Sequence, residues 1–118
     1  MSKFSIGTDI EEIRRFRNKE KTEDFLKKIY TEKELEYCFS KDRPAQHLAV
    51  RFAAKEAIIK AFGSIDKKIL FNQIEILNNE DRVPYVNIGT HLSENYKIKI
   101  SLSHAKGYAM AVALIYKE

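Results

Sequence analysis

The sequence predicts an α+β fold, because strand-like and helix-like segments occupy separate parts of the chain. An alternating segment opens the chain, helical spacing prevails over residues 11–63, and alternating segments return over residues 70–116. The chain has 118 residues, within the usual size of one domain, about 100–150 residues. We therefore expect one domain over residues 1–118, with helices in the middle and an antiparallel set of strands at the end.

The N-terminal segment predicts a strand that leads into a short helix. Residues 3–10 alternate in the manner of a strand and place Phe4, Ile6 and Thr8 on one face. A short helix over residues 11–16 is expected to follow, where the alternation ends. The first structural transition of the chain is therefore from strand to helix.

Two further short helices are predicted before the centre of the chain. Residues 22–29 keep helical spacing of their apolar side chains. Thr31-Glu-Lys-Glu34 has the form of a capping box, in which the Thr hydroxyl caps a helix and the Glu side chain reaches back. We expect that helix to turn Leu35, Cys38 and Phe39 toward the core.

The best-defined helix is predicted from Pro44, which is tolerated in a first helical turn, to Gly63. Its apolar side chains cover a wide arc, so the helix should be largely buried. Burying charge is costly unless the charge is paired or meets an oppositely charged ligand. The charged residues within this helix are therefore candidates for a specific role, and they are Arg51, Lys55, Glu56 and Lys60.

The last part of the chain predicts antiparallel strands. Residues 70–77 and 85–88 are typical of strands separated by a turn at residues 78–81. Residues 97–103 alternate polar and apolar side chains, which indicates a strand with one wet face. Residues 108–116 alternate large side chains with alanines, so both faces of that strand should be covered. The alanine face permits close approach by a helix or another subunit.

Composition narrows the class of protein. Cys38 is the only cysteine, which excludes an intrachain disulfide and a zinc site built from several cysteines. The longest uninterrupted apolar run, residues 108–116, falls far short of the roughly 20 residues that span a bilayer. Asp9, Glu11 and Glu12 interrupt the segment where a signal peptide would carry its apolar stretch. We therefore expect a soluble cytoplasmic protein with no membrane association.

Basic side chains cluster after the first predicted strand, although the net charge is only +4. Such a cluster favours an anionic partner, whether phosphate, nucleic acid or an acidic protein. A solvated helix end explains the same cluster equally well. The clustered residues are Arg14, Arg15, Arg17, Lys19 and Lys21.

Three groups of residues are candidates for chemistry, and each also has a purely structural explanation. Asp9, at the end of the first predicted strand, is equally suited to capping the next helix. Glu56 and Lys60 project from one helix face, and an ion pair between them would contribute only about 0.3–0.5 kcal/mol. His104 leaves a polar-faced strand, where a hydrogen-bonded structural histidine is the commoner case. Residue types alone leave both explanations open.

Together, these residues suit phosphate chemistry. Mg²⁺ is commonly held by one or two carboxylates plus substrate phosphates, a role open to Asp9 and Glu56. Lys60, one turn beyond Glu56, would meet the same phosphates. Phosphoryl transfer depends mainly on positioning and on neutralising the charge that develops, which a cation and a lysine provide. We therefore hypothesise a Mg²⁺-dependent transfer site.

The order of residues within these motifs is more specific than their types. Gly7-Thr-Asp-Ile-Glu-Glu-Ile13 resembles the N-terminal motif of the holo-acyl-carrier-protein synthases, the short 4′-phosphopantetheinyl transferases. Arg51-Phe-Ala-Ala-Lys-Glu-Ala-Ile-Ile-Lys-Ala-Phe-Gly63 is similar to the central signature of that family. Ser101-Leu-Ser-His-Ala-Lys-Gly-Tyr-Ala109 resembles its C-terminal motif, and residues 31–34 fall where the family has a Thr-x-x-Glu segment. The resemblance covers nearly the whole chain, in order and at family spacing.

This resemblance implies a fold, an activity and partners. The implied 4′-phosphopantetheinyl transferase fold is an antiparallel sheet packed on a long central helix with shorter N-terminal helices. Members transfer the 4′-phosphopantetheine arm of coenzyme A to a serine of apo-acyl carrier protein, releasing adenosine 3′,5′-bisphosphate, in support of fatty acid biosynthesis. Known members are homotrimers whose sites lie between subunits, which would suit the small-residue face of the last strand.

The resemblance also implies roles for individual residues. Asp9 and Glu56 match the positions that hold Mg²⁺, and Lys60 matches a lysine that stabilises or protonates the leaving phosphate. Arg14 and Arg15 lie on the family's docking surface for the acidic carrier protein. The residues matched to coenzyme A, at its phosphates or near its nucleotide end, are Lys60, Pro84, Ser103 and His104.

Two segments depart from the family pattern. After Gly63 many members have a second glycine pair, whereas this chain has Ser64-Ile-Asp-Lys-Lys68. The frequent Gly-Lys-Pro appears here as Arg82-Val-Pro84. Backbone contacts to coenzyme A and the turn near the adenine pocket are therefore expected to differ.

Two other classes of protein remain as alternatives. A small basic nucleic-acid-binding module would use residues 14–21, but no nucleic-acid motif is recognisable and aromatic residues do not interleave with the basic cluster. A non-catalytic trimeric scaffold is the third possibility, and the intact set of candidate site residues argues against it. We therefore predict coenzyme A and acyl carrier protein as partners, and no nucleic acid.

Overall fold

The computed structural model describes residues 4–117 of the chain. Lys3, predicted as the first residue of the N-terminal strand, lies outside the described residues. The strands are β1 (Phe4–Glu12), β2 (Ile74–Asn78), β3 (Pro84–Ile88), β4 (Lys97–Ala105) and β5 (Tyr108–Tyr116). The α-helices are α1 (Asp24–Ile29), α2 (Glu32–Phe39) and α3 (Pro44–Gly63). Short 3₁₀ segments span Ile13–Phe16, Phe71–Gln73 and His91–Glu94.

A three-stranded antiparallel sheet packs against α3. Its strand order is β1-β5-β4, while β2 and β3 form a separate two-stranded antiparallel sheet. Ala111 and Ala113 of β5 lie in one core cluster with Ala54 and Ala57 of α3. The predicted α+β class, with antiparallel strands on a long central helix, is therefore confirmed, and the strands divide between two sheets.

Local sequence signals located two of the helices correctly. The central helix runs from Pro44 to Gly63, as predicted. The capping box of α2 is also present, because the Thr31 hydroxyl accepts from the backbone N–H of Glu34 at 3.3 Å and the Thr31 N–H donates to the Glu34 carboxylate at 2.9 Å. None of the helices in the described range is long and apolar enough to cross a membrane.

Two predicted boundaries are wrong. Strand β1 extends to Glu12, because Glu11 and Glu12 continue the ladder with β5. Only residues 13–16 are helical, as a 3₁₀ turn, and the N–H of Ile13 donates to the carbonyl oxygen of Gly107 at 2.8 Å. Residues 71–73, predicted as part of a strand, also form a 3₁₀ turn. Partners distant in sequence decide these boundaries.

The outer face of the β1–β5 pair is apolar and exposed. Phe4, Ile6 and Ile10 lie on the side of β1 opposite α3 and are 68%, 61% and 63% exposed. Tyr108 and Met110 of β5 are exposed beside them. The expectation that both faces of β5 are covered is therefore wrong for the single chain. Helix α3 occupies the alanine face, so that face is closed to another subunit.

Strand β1 approaches α3 very closely at Gly7. A Cβ at this position would lie 2.0 Å from the carbonyl oxygen of Ala57 and 3.0 Å from the backbone nitrogen of Ala61. Ser5, on the same face of β1, donates its hydroxyl to the carbonyl oxygen of Ala61 at 2.6 Å. The absence of a side chain at Gly7 therefore sets the distance between strand and helix, and with it the position of Asp9.

Lys55 of α3 and Glu34 of α2 form a fully buried ion pair, in which Nζ lies 2.6 Å from Oε1. The second oxygen of Glu34 accepts from the N–H of Ile76 at 2.8 Å. Burial lowers the pKa of the Lys55 amine from its ordinary value, and the Glu34 carboxylate opposes that effect. Nζ also meets three backbone carbonyl oxygens, those of Ile29 at 2.7 Å, Phe71 at 3.1 Å and Ile74 at 2.6 Å.

We predict that Gly7→Ala destabilises the protein by about 3 kcal/mol, the upper end of the usual cost of overpacking, because the atoms it meets belong to the backbone. Urea denaturation measures the change in the free energy of unfolding. Gly63→Ala is the matched control, since a Cβ there has no neighbour within 4 Å. Equal stability of the two variants would contradict the close approach.

We predict that Lys55→Met lowers the free energy of unfolding by about 3–5 kcal/mol, because it leaves the Glu34 carboxylate buried without a counter-charge. The double variant Lys55→Met with Glu34→Gln should be more stable than Lys55→Met alone, since it removes that charge. Urea denaturation of the single and double variants tests both statements. A double variant that is less stable than Lys55→Met would show that the ionic part of the interaction is minor.

Candidate active site

Lys60 of α3 reaches across to β1. Its Nζ donates to Oδ1 of Asp9 and to the carbonyl oxygen of Thr8, both at 3.1 Å. Among the described residues, the ionic partner of Lys60 is Asp9 and not Glu56. Asp9 does not cap a helix, because it lies inside β1 opposite Ala111. Strand and helix therefore bring an acid and a lysine together.

Glu56 and Glu11 lie close enough to Asp9 for its charge to act on both. Burial raises the pKa of Glu56, and the charge of Asp9 adds to this effect while Lys60 opposes it. Burial, and then the neighbouring Asp9 carboxyl group, raises the pKa of Glu11 to about 7. The carboxyl groups of Asp9, Glu11 and Glu56 therefore act on one another, an arrangement that a further cation would relieve.

Glu11 was not predicted as a member of this cluster. Alternation along a strand places residues 9 and 11 on the same side, so the signal was present in the sequence. The strand was expected to end at residue 10, so Glu11 was placed outside it. Glu11 also pairs with Arg15, which connects the carboxyl cluster to the basic segment.

The second oxygen of Asp9, Oδ2, is buried and has no hydrogen-bond partner within residues 4–117. An unpaired buried carboxylate oxygen is costly. The same residues contain no group of three or more His, Cys, Asp or Glu side chains arranged as a metal site. Mg²⁺ needs fewer protein ligands, because it keeps waters and shares substrate phosphates. The free oxygen of Asp9 and the nearby Glu56 thus fit a cation that substrate oxygens also hold.

Pro84, Ser103 and His104 line a separate cavity of about 430 Å³. Residues of β4 and of the N-terminal half of α3 line it, and Nε2 of His104 lies 3.1 Å from Nε2 of Gln46. The structure therefore brings together the three residues that were matched to the nucleotide end of coenzyme A. We call this space the histidine cavity.

Positive charge in the histidine cavity exceeds what the sequence predicted. Arg51 and Arg82 line it together with His47 and His104, and the described part of the chain contributes no acidic residue to its lining. The Arg51 guanidinium is buried, lies 4.4 Å from the ring centroid of Tyr37, and donates from Nε to a backbone carbonyl at 3.2 Å. The sequence predicted no binding role for His47 or Arg82, and it made Arg51 a candidate only as a charged residue in a buried helix, since β2, β3 and α3 converge only in the folded chain. The cavity suits an anion.

The two groups of predicted site residues do not share a cavity. Asp9, Glu56 and Lys60 belong to the contact between β1 and α3, and none of them lines the histidine cavity. The fold thus assembles the predicted residues within each group and keeps the two groups apart.

Comparison with known proteins identifies the family. Residues 5–113 match the family model described as the 4′-phosphopantetheinyl transferase superfamily, ACPS. The chain belongs to this family. The holo-[acyl-carrier-protein] synthase of Chlorobaculum parvum is 46% identical over 116 residues, covering 95% of this chain and 97% of that protein. The synthase of Chlamydia trachomatis serovar L2 is 44% identical over 117 residues, covering 94% of this chain and 98% of that protein.

Solved structures of family members share the fold. A holo-(acyl-carrier-protein) synthase from Bacillus anthracis, in complex with CoA (3′,5′-ADP), has a TM-score of 0.79 at 29% identity and covers 97% of this chain and 96% of that chain. The Helicobacter pylori synthase, in complex with coenzyme A, has a TM-score of 0.77 at 27% identity, covering 93% and 98%. The predicted family is confirmed, and the nucleic-acid alternative is not supported.

One departure from the family pattern falls on the tight turn between β2 and β3. Arg82, which replaces the frequent glycine, has a left-handed backbone with φ of 63°. The side-chain oxygen of Asn79 supports the turn by accepting from the N–H groups of Asp81 at 2.8 Å and Val83 at 3.0 Å. The turn therefore forms without glycine and places Arg82 on the histidine cavity.

The other departure, at residues 64–68, also forms its turn without glycine. Asp66 has a left-handed backbone with φ of 58°. The N–H of Asp66 donates to the carbonyl oxygen of Gly63 at 3.1 Å, and that of Lys67 donates to Phe62 at 3.0 Å. Aspartate adopts a left-handed backbone more readily than most residues. The chain therefore turns at the end of α3 without a glycine at this position, and backbone hydrogen bonds hold the turn.

Arg14 and Arg15, both predicted to contact an acidic partner, differ in their surroundings. The Arg14 side chain is 75% exposed and pairs with Glu12. Arg15 pairs with Glu11, and its guanidinium lies 5.6 Å from the ring centroid of Phe52. Arg14 is therefore the more accessible to a partner, whereas Arg15 is tied to the carboxyl cluster.

Proposed function

We propose that this protein transfers the 4′-phosphopantetheine arm of coenzyme A to a serine of apo-acyl carrier protein, in support of fatty acid biosynthesis. The observation that carries the proposal is the Asp9–Lys60 pair, with its unpaired carboxylate oxygen near Glu56, in a chain whose relatives are named holo-[acyl-carrier-protein] synthase. Two carboxylates that can hold a cation and a lysine beside them can position a pyrophosphate and neutralise the charge that develops.

In the proposed reaction, the serine oxygen attacks the phosphorus that carries the pantetheine arm. A phosphorus–oxygen bond forms to the serine while the bond to the bridging oxygen breaks, and adenosine 3′,5′-bisphosphate leaves with that oxygen. Lys60 stabilises the negative charge that develops on the leaving phosphate. The serine proton passes to a carboxylate, for which Glu56 and Asp9 are both candidates. Burial and the charge of Asp9 raise the pKa of Glu56, which favours proton uptake by that carboxylate.

Asp9 and Glu56 would hold Mg²⁺, and Mg²⁺ dependence is part of the proposal. A bound cation would neutralise charge on the pyrophosphate oxygens. The support from this chain is the buried Oδ2 of Asp9, which has no other partner among the described residues, and the mutual repulsion of the neighbouring carboxyl groups.

The nucleotide end of coenzyme A would occupy the histidine cavity. Pro84, Ser103 and His104 line it, as expected for that end of the molecule, and the two arginines Arg51 and Arg82 supply positive charge. Arginine is well suited to phosphate because its planar guanidinium donates two parallel hydrogen bonds.

A homotrimer in the cytoplasm, with active sites between subunits, completes the proposal. The carboxyl cluster does not line the histidine cavity of the same chain, and a site between neighbouring chains would let one coenzyme A molecule contact both groups. The exposed apolar face of the β1–β5 pair supplies a surface that subunit contact would cover.

Acyl carrier protein would dock through Arg14 and Arg15. A cluster of cations attracts an acidic protein over a distance and orients it on encounter. The 75% exposure of the Arg14 side chain supports a direct role for that residue.

Incubation of the protein with coenzyme A, Mg²⁺ and apo-carrier protein should add the mass of the phosphopantetheine arm to the carrier, as measured by mass spectrometry. Asp9→Asn and Glu56→Gln should each lower the rate at least about 100-fold, because each removes charge that the reaction requires. Glu36→Gln, an exposed position on α2, is the matched control and should retain the rate. No transfer by the unmodified protein would contradict the function, and full activity of both site variants at low Mg²⁺ would contradict the metal assignment.

We predict that Arg14→Glu weakens carrier-protein binding by roughly tenfold at low salt, since it reverses a charge on the docking surface. The effect should shrink as the ionic strength rises, because exposed charges are screened. Affinities for carrier protein and for coenzyme A, measured by calorimetry, separate the two ligands. Lys33→Glu, an exposed charge reversal on α2, is the control and should change neither affinity. An effect of Arg14→Glu that does not depend on salt would contradict electrostatic docking.

A further inference from the structure

His47 lines the histidine cavity but has no part in the function proposed above. Its ring is half-buried and meets the ring of Tyr37 edge-on, with 5.8 Å between centroids and 81° between planes. The Nη1 of Arg51 donates to the backbone carbonyl of His47 at 3.4 Å, which holds the residue one helical turn before that guanidinium. The imidazole is therefore fixed at the wall of a cavity rather than free in solvent.

The charged and titratable groups that face His47 come from every element around it. Helix α2 contributes Tyr37, and the segment after it contributes Lys41, whose Nζ lies 4.7 Å from the Tyr37 ring. Helix α3 contributes Arg51, while β4 and the β2–β3 turn contribute His104 and Arg82. Within residues 4–117, no acidic side chain lines the cavity. Among these residues, His47 thus faces several cations and no acidic group of the cavity lining.

This environment favours the neutral imidazole. Burial lowers the pKa of His47, and the charges of Arg51, Lys41 and His104 lower it further. An anion in the cavity would reverse the balance, because a negative charge within a few ångströms stabilises the protonated form of a histidine. A phosphate monoester is the strongest such anion available on a nucleotide, since it carries close to two negative charges at neutral pH.

We propose that His47 takes up a proton when a phosphate monoester enters the histidine cavity, and that this proton strengthens the binding of the 3′-phosphate of coenzyme A. The inference rests on the proposed function, because it takes the nucleotide end of coenzyme A as the occupant. The two arginines provide permanent charge, and His47 adds charge only when the phosphate is present. Affinity for coenzyme A therefore increases as the pH falls from 8 to 6.5, and affinity for 3′-dephospho-coenzyme A does not.

Nuclear magnetic resonance titration of the histidine ring protons tests the proton uptake in the unmodified protein. The His47 signal is identified by its loss in His47→Phe. With saturating coenzyme A, the pKa of His47 should rise by about one pH unit or more above its value in the free protein. With 3′-dephospho-coenzyme A it should stay at the value of the free protein. An equal pKa in all three states would overturn the proposal, as would an equal rise with both ligands.

Calorimetry of coenzyme A binding provides the second measurement. His47→Phe keeps an aromatic ring against Tyr37 and removes the titration, so the unmodified protein should gain up to about tenfold in affinity over this variant between pH 8 and pH 6.5. The phosphate itself also titrates in this pH range, but its titration affects both proteins equally and cancels in the comparison. His91→Phe is the matched control, because His91 lies on a separate 3₁₀ segment and does not line the cavity. It should follow the unmodified protein.

The same data distinguish a failure of the proton-coupled subsite from a failure of the proposed function. If coenzyme A binds and the carrier protein is modified, but His47→Phe shows the same pH dependence as the unmodified protein, the proton-coupled subsite is wrong and the proposed function stands. If the unmodified protein binds no coenzyme A at any pH, both are wrong.

Discussion

The buried ion pair between Lys55 and Glu34 holds α1, α2, β2 and α3 in one arrangement. Helices α1 and α2 have only 6 and 8 residues, and isolated helices shorter than about 12 residues are marginal in water. Their positions therefore depend on what α3 offers them. A charged pair whose hydrogen bonds are all made in the core penalises other arrangements, because each would leave a charge unpaired. Because α2 and β2 contribute residues to the histidine cavity, the ion pair also fixes those parts of the cavity relative to α3.

The same helix serves both candidate binding surfaces. Its C-terminal half presents Glu56 and Lys60 to β1, at a distance set by Gly7. Its N-terminal half presents Gln46, His47 and Arg51 to β4 and to the β2–β3 turn. A ligand that carries phosphates at two separated places suits a helix that presents a lysine with carboxylates for a cation at one end and an arginine-lined cavity at the other. The proposed contact between subunits would bring the two surfaces of neighbouring chains to one ligand.

Local patterns predicted the structure wherever neighbours in sequence decide it. Pro44 and Gly63 mark the ends of α3, and Thr31 marks the start of α2, because helix caps are local interactions. The family motifs likewise indicated the acid and lysine at the contact of β1 with α3. Sequence patterns did not predict the structure where contacts with a distant segment of the chain determine it. The end of β1 depends on β5, the partner of Lys60 lies on another element, and Arg82 joins a cavity through a turn conformation that its residue type disfavours.

Lys55 and Glu56 are consecutive residues, yet one is locked into the core and the other belongs to the candidate active site. An α-helix turns by about 100° per residue, so a single inserted or deleted residue between Arg51 and Lys60 would rotate one of these side chains away from its place. Helix α3 should therefore accept substitutions at its exposed positions more readily than insertions or deletions. The length of the segment from Arg51 to Lys60 is therefore fixed by the two sites. Natural or engineered insertions and deletions should occur in the loops before and after α3.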